Sequence, residues 1–212
     1  MVCNTAARNA RYRASGVSAV LPYQGDFHHG GCAEPGMTQG PLSAADIRRL
    51  FEELASELDV AGHRAEIFLV GGAAIALCFD ARRATRDLDA VFAPTDSVRR
   101  ADAKVADREG LDPDWLNDAV KGFLPGPDED SRPVPNIRGL EVTTASPRYL
   151  LALKLMAMRF GEDDQDIEIL LRECGLRTAR EALDLLQHLY PYHEPPVKTR
   201  LFLEELLGPA AD

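Results

Sequence analysis

The chain has 212 residues, of which 45% are hydrophobic and 27% are charged, and its formal net charge is −10. This length is enough to bury the core of one domain, or of one domain with a small appendage. The excess of acidic residues argues against binding of nucleic acid by electrostatic attraction alone, because that mode of binding needs clustered Lys and Arg. A nucleic acid substrate stays open if basic residues gather locally, and five arginines lie close in sequence: Arg82, Arg83, Arg86, Arg99 and Arg100. For scattered arginines a solvated surface is the more common interpretation.

Cysteine spacing and hydropathy bear on the compartment. The four cysteines lie far apart and form no CxxC pair, which indicates neither a disulfide framework nor a zinc site and fits a reducing cytoplasm. No apolar stretch approaches the ~20 residues that cross a bilayer, so we expect no membrane partner.

Residues 1–36 lack sustained periodicity and are rich in Gly, Asn, Ser, His and Pro, which is typical of a weakly ordered extension. Met37 stands directly before a helix-start sequence, so it stays open whether this extension belongs to the native protein. Three possible metal ligands lie close together in this segment, His28, His29 and Cys32, but no fourth ligand follows at a useful spacing. An ordinary polar loop is the simpler interpretation.

Order is predicted from "PLSAADIRRLFEELASELDVAG", residues 41–62. Ser43 and Asp46 form a capping-box pattern at the start of this helix. Its apolar residues recur at helical spacing and predict one buried stripe: Ile47, Leu50, Phe51, Leu54 and Leu58.

The next segments predict a compact strand–turn–helix–strand unit. "EIFLVGG" (66–72) reads as a short buried strand that ends in a glycine turn, and "AAIALCFD" (73–80) reads as a helix. "RDLDAVFA" (86–93) alternates as a strand does, with Leu88, Ala90 and Phe92 on one face.

The rest of the chain divides into two architectures. We predict a helix over 97–110, a short helix or loop over 113–124, a proline-rich acidic loop over 124–135 and a strand over 137–145. From Ser146 onward the patterns predict helices only, over 146–160, 163–174, 178–190 and 195–207. The expected fold is α+β, with an α/β core of a small mixed sheet and helices over 37–145 and a C-terminal helical bundle over 146–212.

Asp87 and Asp89 are the first candidate site residues. Carboxylates at i and i+2 of a strand project from one face, roughly 6–7 Å apart, and can bridge divalent metal ions. The turn at Gly71 and Gly72 lets backbone N–H groups approach a phosphate closely, and the helix after it adds the positive end of its dipole. Either motif alone is weak, but together they predict a magnesium-dependent nucleotide site.

Lys154 stands inside the apolar run "YLLALKLMAM", where a cation is costly to bury unless an anion meets it. It either snorkels to the helix edge or contacts nucleotide phosphates. Asp166, 12 residues later on the next helix, could orient Lys154 or the nucleophile. We interpret the neighbouring Asp163 and Asp164 as the acidic first turn of that helix.

These motifs together resemble the DNA polymerase beta-like nucleotidyltransferase superfamily, in which a glycine pair on a strand-to-helix turn precedes an Asp-x-Asp strand. Gly71, Gly72, Asp87 and Asp89 match that pattern. Within the superfamily, Thr85-Arg86-Asp87-Leu88-Asp89, followed by Lys154 and Asp166, is most similar to the AbiEii and MenT-type toxins of bacterial toxin–antitoxin systems. The resemblance covers about residues 45–172. Fuller members supply a third carboxylate from a later strand, and Glu141 is the candidate for that metal ligand here.

The resemblance implies a metal-dependent nucleotidyltransferase that moves NMP from an NTP such as ATP to an acceptor, with Mg²⁺ or Mn²⁺. Asp87 and Asp89 would bind the metal, Thr85 and the glycine pair would seat the phosphates, and Lys154 would neutralise them. The expected acceptor is the 3′ end of tRNA, for a cytoplasmic toxin held by a cognate antitoxin protein. The alternatives are a protein or aminoglycoside-like acceptor, or a non-catalytic antitoxin or scaffold with the same fold.

Overall fold

The computed structural model describes residues 40–80, 83–137 and 139–208. The predicted N-terminal extension lies outside these residues, with His28, His29 and Cys32, and so does Arg82. The described residues all belong to one compact unit of the chain.

Helix α1 (Ala44–Val60) begins where the capping box predicts. The Ser43 backbone N–H donates to Asp46 Oδ2 at 2.9 Å, and the Asp46 N–H donates to Ser43 Oγ at 3.3 Å. The whole predicted apolar stripe of this helix is buried. The local pattern therefore fixed both the start of α1 and the face that it turns to the core.

The centre of the fold is a mixed five-stranded sheet. Its strands are β2 (Ala65–Leu69), β4 (Leu88–Ala93), β5 (Leu116–Asn117), β6 (Arg132–Pro133) and β7 (Leu140–Thr144), in the order β5-β4-β2-β7-β6. Strand β2 runs antiparallel to β4 and parallel to β7. A separate antiparallel ladder joins β1 (Leu42–Ser43) to β3 (Ala84–Thr85).

Two boundaries and the content of two loops differ from those predicted. Helix α2 (Gly71–Cys78) begins at the glycine pair and not after it, and β4 begins at Leu88 and not at Arg86. The segment 113–124 contains β5 and a 3₁₀ helix (Ala119–Phe123), and the acidic loop contains β6. Two-residue strands exist only through their pairing partners, so local periodicity does not show them.

The remaining helices lie close to their predicted positions. They are α3 (Thr95–Glu109), α4 (Pro147–Ala157), α5 (Asp164–Cys174), α6 (Ala179–Leu189) and α7 (Val197–Leu207). Helix α6 starts with a capping box at Thr178 and Glu181, and α5 ends at Gly175, whose φ of 68° suits glycine. The expected α+β class, with helices only after Ser146, is confirmed.

The two halves share one hydrophobic core. Ile67 and Phe92 of the sheet belong to the same buried cluster as Leu151 of α4 and Leu186 of α6. On the other face of β2, Phe68 meets Tyr149 of α4 edge to face, with ring centroids 5.7 Å apart. Helix α4 therefore packs against the sheet, while the proposed boundary between domains at residues 145 and 146 stays a prediction.

Candidate active site

The start of α2 lies directly against the Asp-x-Asp strand. Gly71 has a φ of 64°, and a Cβ at this position would lie 2.8 Å from Asp89 Oδ2. A Cβ at Gly72 would lie 3.1 Å from Thr85 Oγ1. The positive φ of Gly71 suits glycine, and a side chain at either position would crowd Asp89 or Thr85, so the glycine pair allows the helix to approach these side chains closely.

The first turn of α2 also keeps its backbone N–H groups available. Val70 occupies the N-cap and offers no side-chain hydrogen bond. The first intrahelical bond from this end runs from the Ala74 N–H to the Val70 carbonyl at 3.4 Å. N–H groups of an uncapped first helical turn form a ready anion-binding site.

Asp89 is half-buried on β4, and Asp87 is exposed in the bend before this strand. Asp87 is thus not a strand residue, so strand alternation does not set the direction of its side chain. The two carboxylates nevertheless lie close together. Burial raises the pKa of Asp89 and the negative charge of Asp87 raises it further, while Asn117, Lys154 and Arg159 oppose this rise.

Lys154 meets two carboxylates from α5 and the turn before it. Its Nζ lies 2.5 Å from Asp163 Oδ1 and 3.0 Å from Asp166 Oδ2, and its side chain is 14% exposed. Asp166 is 1% exposed and has a second cation, because Arg83 Nη2 lies 2.6 Å from Asp166 Oδ1 without hydrogen-bond geometry. Lys154 is therefore held rigidly, in a position where its charge also acts on Asp89.

Sequence reasoning missed Asp163, Arg159 and Asn117 as members of this site. Asp163, which we predicted to be an ordinary first-turn residue, is buried, bonds to Lys154 and accepts the Arg159 backbone N–H at 2.8 Å. Asn117 pairs with Asp89 across the β4–β5 ladder. For Asp163 a signal existed, since a lysine in an apolar helix needs an anion and Asp163 is closer in sequence to Lys154 than Asp166 is.

Glu141 is not brought to the site. The sheet register places it opposite Glu66 of β2, and Glu66 in turn lies opposite Ala93, at the far end of β4 from Asp89. Asp89 precedes Ala93 by four residues on β4, so Glu141 is displaced from Asp89 by roughly 13 Å along the strand direction. The expectation that Glu141 is a third metal ligand beside Asp87 and Asp89 was therefore wrong.

The remaining pair still suits a divalent ion. In residues 40–80, 83–137 and 139–208 no group of three or more His, Cys, Asp or Glu side chains is arranged to hold a metal. Mg²⁺ commonly binds through one or two carboxylates and completes its coordination with water and substrate phosphates. Burial and the charge of Asp87 raise the pKa of Asp89 in spite of Lys154 and Arg159, and a cation bound beside it would favour the ionised carboxylate.

The predicted arginine cluster is not one patch. Arg83 contacts Asp166, whereas Arg99 Nη2 bonds to Asp118 Oδ1 at 2.5 Å. Arg100 donates to the Ser97 hydroxyl on its own helix. Of the four that the structure describes, only Arg83 is shown to join the charged cluster around Lys154.

Comparison with known proteins assigns the family. Residues 45–191 match the family described as "Nucleotidyltransferase of unknown function (DUF6036)". The chain belongs to this nucleotidyltransferase family. The matched range contains the glycine pair, Asp87, Asp89, Lys154 and Asp166, and it ends before α7.

One solved structure shows a distant likeness to this family member. It is the crystal structure of an antigenic nucleotidyltransferase-like protein from Paracoccidioides brasiliensis, with 18% sequence identity and a TM-score of 0.44. The match covers 77% of this chain and 95% of that chain. No curated protein matches the sequence. In the described part of the chain, no helix is long and apolar enough to cross a membrane.

Proposed function

We propose that this nucleotidyltransferase family member is an active, metal-dependent enzyme that transfers NMP from an NTP to an acceptor. The observation that carries the proposal is the packing of Asp89 against the uncapped start of α2, with Lys154 facing the same carboxylate. In the reaction an acceptor hydroxyl oxygen bonds to the α-phosphorus, the bond to the bridging oxygen of pyrophosphate breaks, and the hydroxyl proton passes to water.

Each residue has a role that follows from its position. Asp87 and Asp89 would hold Mg²⁺ or Mn²⁺, which offsets negative charge on the phosphates when it is bound. The backbone N–H groups at Gly71 and Gly72 would bind phosphate oxygens. The Thr85 hydroxyl donates to the Asp87 carbonyl at 3.0 Å and would turn from it to a phosphate oxygen when the nucleotide binds. Lys154 would neutralise the leaving pyrophosphate. Asp166 is too deeply buried to reach an acceptor, so it serves by holding Lys154.

The proposed acceptor is the 3′ end of tRNA, in a cytoplasmic toxin controlled by a cognate antitoxin protein. This assignment comes from the resemblance of Thr85-x-Asp87-x-Asp89, Lys154 and Asp166 to the AbiEii and MenT-type toxins. The net charge of −10 favours the alternative of a protein or small-molecule acceptor, because such acceptors need no basic surface.

Labelling separates these functions. The full chain is incubated with Mg²⁺, each NTP carrying a labelled α-phosphate, and total tRNA, total protein or an aminoglycoside. We expect label in tRNA, located at the 3′ end by sequencing. Label in protein or drug would support the alternative acceptor, and no label with any acceptor would contradict the enzyme assignment.

Asp87→Asn is the matched control for this reaction. The change removes a metal ligand, so transfer should fall to background. It also removes one of two neighbouring negative charges, so the thermal midpoint should stay the same or rise. Full activity of Asp87→Asn would refute the role of this carboxylate.

A further inference from the structure

The turn between α4 and α5 exposes two adjacent side chains beside the site. Met158 is fully buried at the end of α4, but the next residues, Arg159 and Phe160, have exposed side chains. Phe160 keeps 57% of its surface exposed, and Arg159 keeps 66% of its side chain exposed. A large aromatic ring next to a guanidinium at a surface is a common arrangement for binding a base and a phosphate.

This turn is tied to the catalytic lysine. One carboxylate, that of Asp163, binds Lys154 Nζ through Oδ1 and the Arg159 backbone N–H through Oδ2. Asp163 is 2% exposed, so this bridge is fixed within the fold. The backbone of the turn therefore has a set position relative to Lys154.

The Arg159 guanidinium is positioned but only weakly held. Its Nε and Nη2 each lie 3.5 Å from the buried Asp163, which is long for hydrogen bonds, and its Nη1 lies 3.3 Å from the exposed Glu162, an ion pair that contributes little. Burial lowers the pKa of Arg159, but its bond to Asp163 and the charges of Asp163, Glu162 and Asp87 raise it overall. The guanidinium thus lies within electrostatic reach of the metal-binding pair and is free to take a new anionic partner.

Phe160 is oriented by a second aromatic ring. It meets Phe202 of α7 edge to face, with centroids 6.0 Å apart and an interplanar angle of 71°. Phe202 limits the motion of the ring while more than half of its surface stays open to solvent. A base needs such a fixed, accessible ring for stacking.

We propose that Arg159 and Phe160 form the subsite for the incoming nucleotide, with the Phe160 ring stacking on the base and the Arg159 guanidinium contacting the triphosphate. This subsite rests on the proposed function, because it assumes an NTP bound at Asp87 and Asp89. Arg159 supplies a second, more exposed cation in addition to the rigidly held Lys154. The subsite accepts every base, because stacking on Phe160 requires only a π face.

The test is equilibrium binding of each NTP alone to the full chain with Mg²⁺, by calorimetry. We expect Phe160→Leu to raise the Kd by about 10-fold or more, since stacking is lost while the apolar character is kept. Phe160→Trp should bind as tightly as the wild type. Arg159→Gln should raise the Kd by about 10-fold, with a smaller difference at high salt because ionic contacts are screened.

Two controls match these changes in exposure and chemistry. Tyr192→Leu removes an exposed aromatic ring from the turn after α6, and Arg49→Gln removes an exposed arginine that pairs with Glu109 of α3. Neither should alter the Kd for any NTP. The thermal midpoints of all five variants are measured to show that each is folded.

The outcomes separate the subsite from the enzyme assignment. If the wild type binds NTP and both Phe160→Leu and Arg159→Gln bind it with the same Kd, the subsite is overturned and the proposed function still stands. If Phe160→Leu leaves the Kd for NTP unchanged and changes only the KM for the acceptor, the subsite is likewise overturned, because Phe160 would then bind the acceptor. A wild-type chain that binds no NTP would refute the proposed function and the subsite together.

Discussion

Lys154 shows how the neighbours of a residue decide what it contributes. A lysine in an apolar run destabilises the fold when no anion pairs with it, but here Asp163 and Asp166 are buried against it. Burial raises the pKa of Asp163, but the bond from Lys154, the attraction of its charge and the bonds from Arg159 together lower it overall. This pairing stabilises the fold above the pKa of Asp163 in the unfolded chain and is lost as the pH falls through its folded pKa.

Lys154→Met should therefore abolish transfer and also destabilise the protein. Removing the cation leaves the buried Asp163 carboxylate dependent on Arg159, a loss of about 3 kcal/mol, at the low end for a broken buried pair. Urea denaturation at neutral pH measures it. The double variant Lys154→Met with Asp163→Asn should regain part of this stability, because no buried charge is left alone. A single variant as stable as the wild type would show that the lysine only snorkels.

Asp102 of α3 is a second buried carboxyl, outside the site. No described residue forms a hydrogen bond to its Oδ1, and burial raises the pKa of Asp102 to about 7 even though the charge of Arg99 opposes this. In the unfolded chain the pKa of an aspartate is about 3.9. Between these values the folded state keeps a proton that the unfolded state has lost, so stability declines as the pH rises through the window.

Asp102→Asn removes this titration. We expect the variant to gain stability relative to the wild type as the pH rises from about 3 to about 8, a range that includes both pKa values. Urea denaturation of both proteins across this range measures the difference. A stability difference that is the same at every pH would mean that Asp102 does not titrate in the folded protein.

At the scale of elements, α7 completes the end of α4. The last carbonyls of a helix lack intrahelical partners. Here Thr199 Oγ1 donates to the Leu155 carbonyl at 2.7 Å, and Lys198 Nζ donates to the Met158 carbonyl at 2.6 Å. Because Lys154 lies in the same last turn, α7 stabilises the segment that presents the lysine.

Thr199→Val tests this contact with little change in shape. It leaves the Leu155 carbonyl buried without its donor, so we expect a loss of about 1–3 kcal/mol in the free energy of unfolding. Thr143→Val is the control, because Thr143 also donates to a carbonyl, that of Ile67, but sits in a strand that suits valine. Equal effects in the two variants would contradict a specific role for the α7 contact.

At the scale of the whole molecule, one core joins the α/β half to the helical half. Residues from both halves form a single buried cluster. Neither half can lose its partner without exposing apolar surface, and exposing such surface is the main cost of unfolding. Cooperative unfolding of residues 40–208 follows from this shared core.

Two probes can test that cooperativity. Trp115, the sole tryptophan, is buried in the α/β half, whereas far-UV circular dichroism reports on all the helices, including α4 to α7. We expect the two denaturation curves to coincide in midpoint and slope. Separate transitions would indicate two independent folding domains with a boundary near residue 145.

The sequence by itself determined the local features. The apolar stripe and capping box of α1, the start of α6 and the glycine–aspartate pattern are set by residues within a few turns of each other, so periodicity and caps are enough to find them. The assignment to a nucleotidyltransferase family is confirmed, while the toxin subtype and the tRNA acceptor stay predictions.

Only the tertiary structure decided which distant residues share the site. It brought Asp163 and Arg159 to Lys154, placed Asn117 beside Asp89 and removed Glu141. Strand register and burial depend on contacts between segments far apart in the chain, and a shift of register moves a side chain to another level or face of the sheet. No local pattern contains that information, so the ligand set and the charge network required the fold.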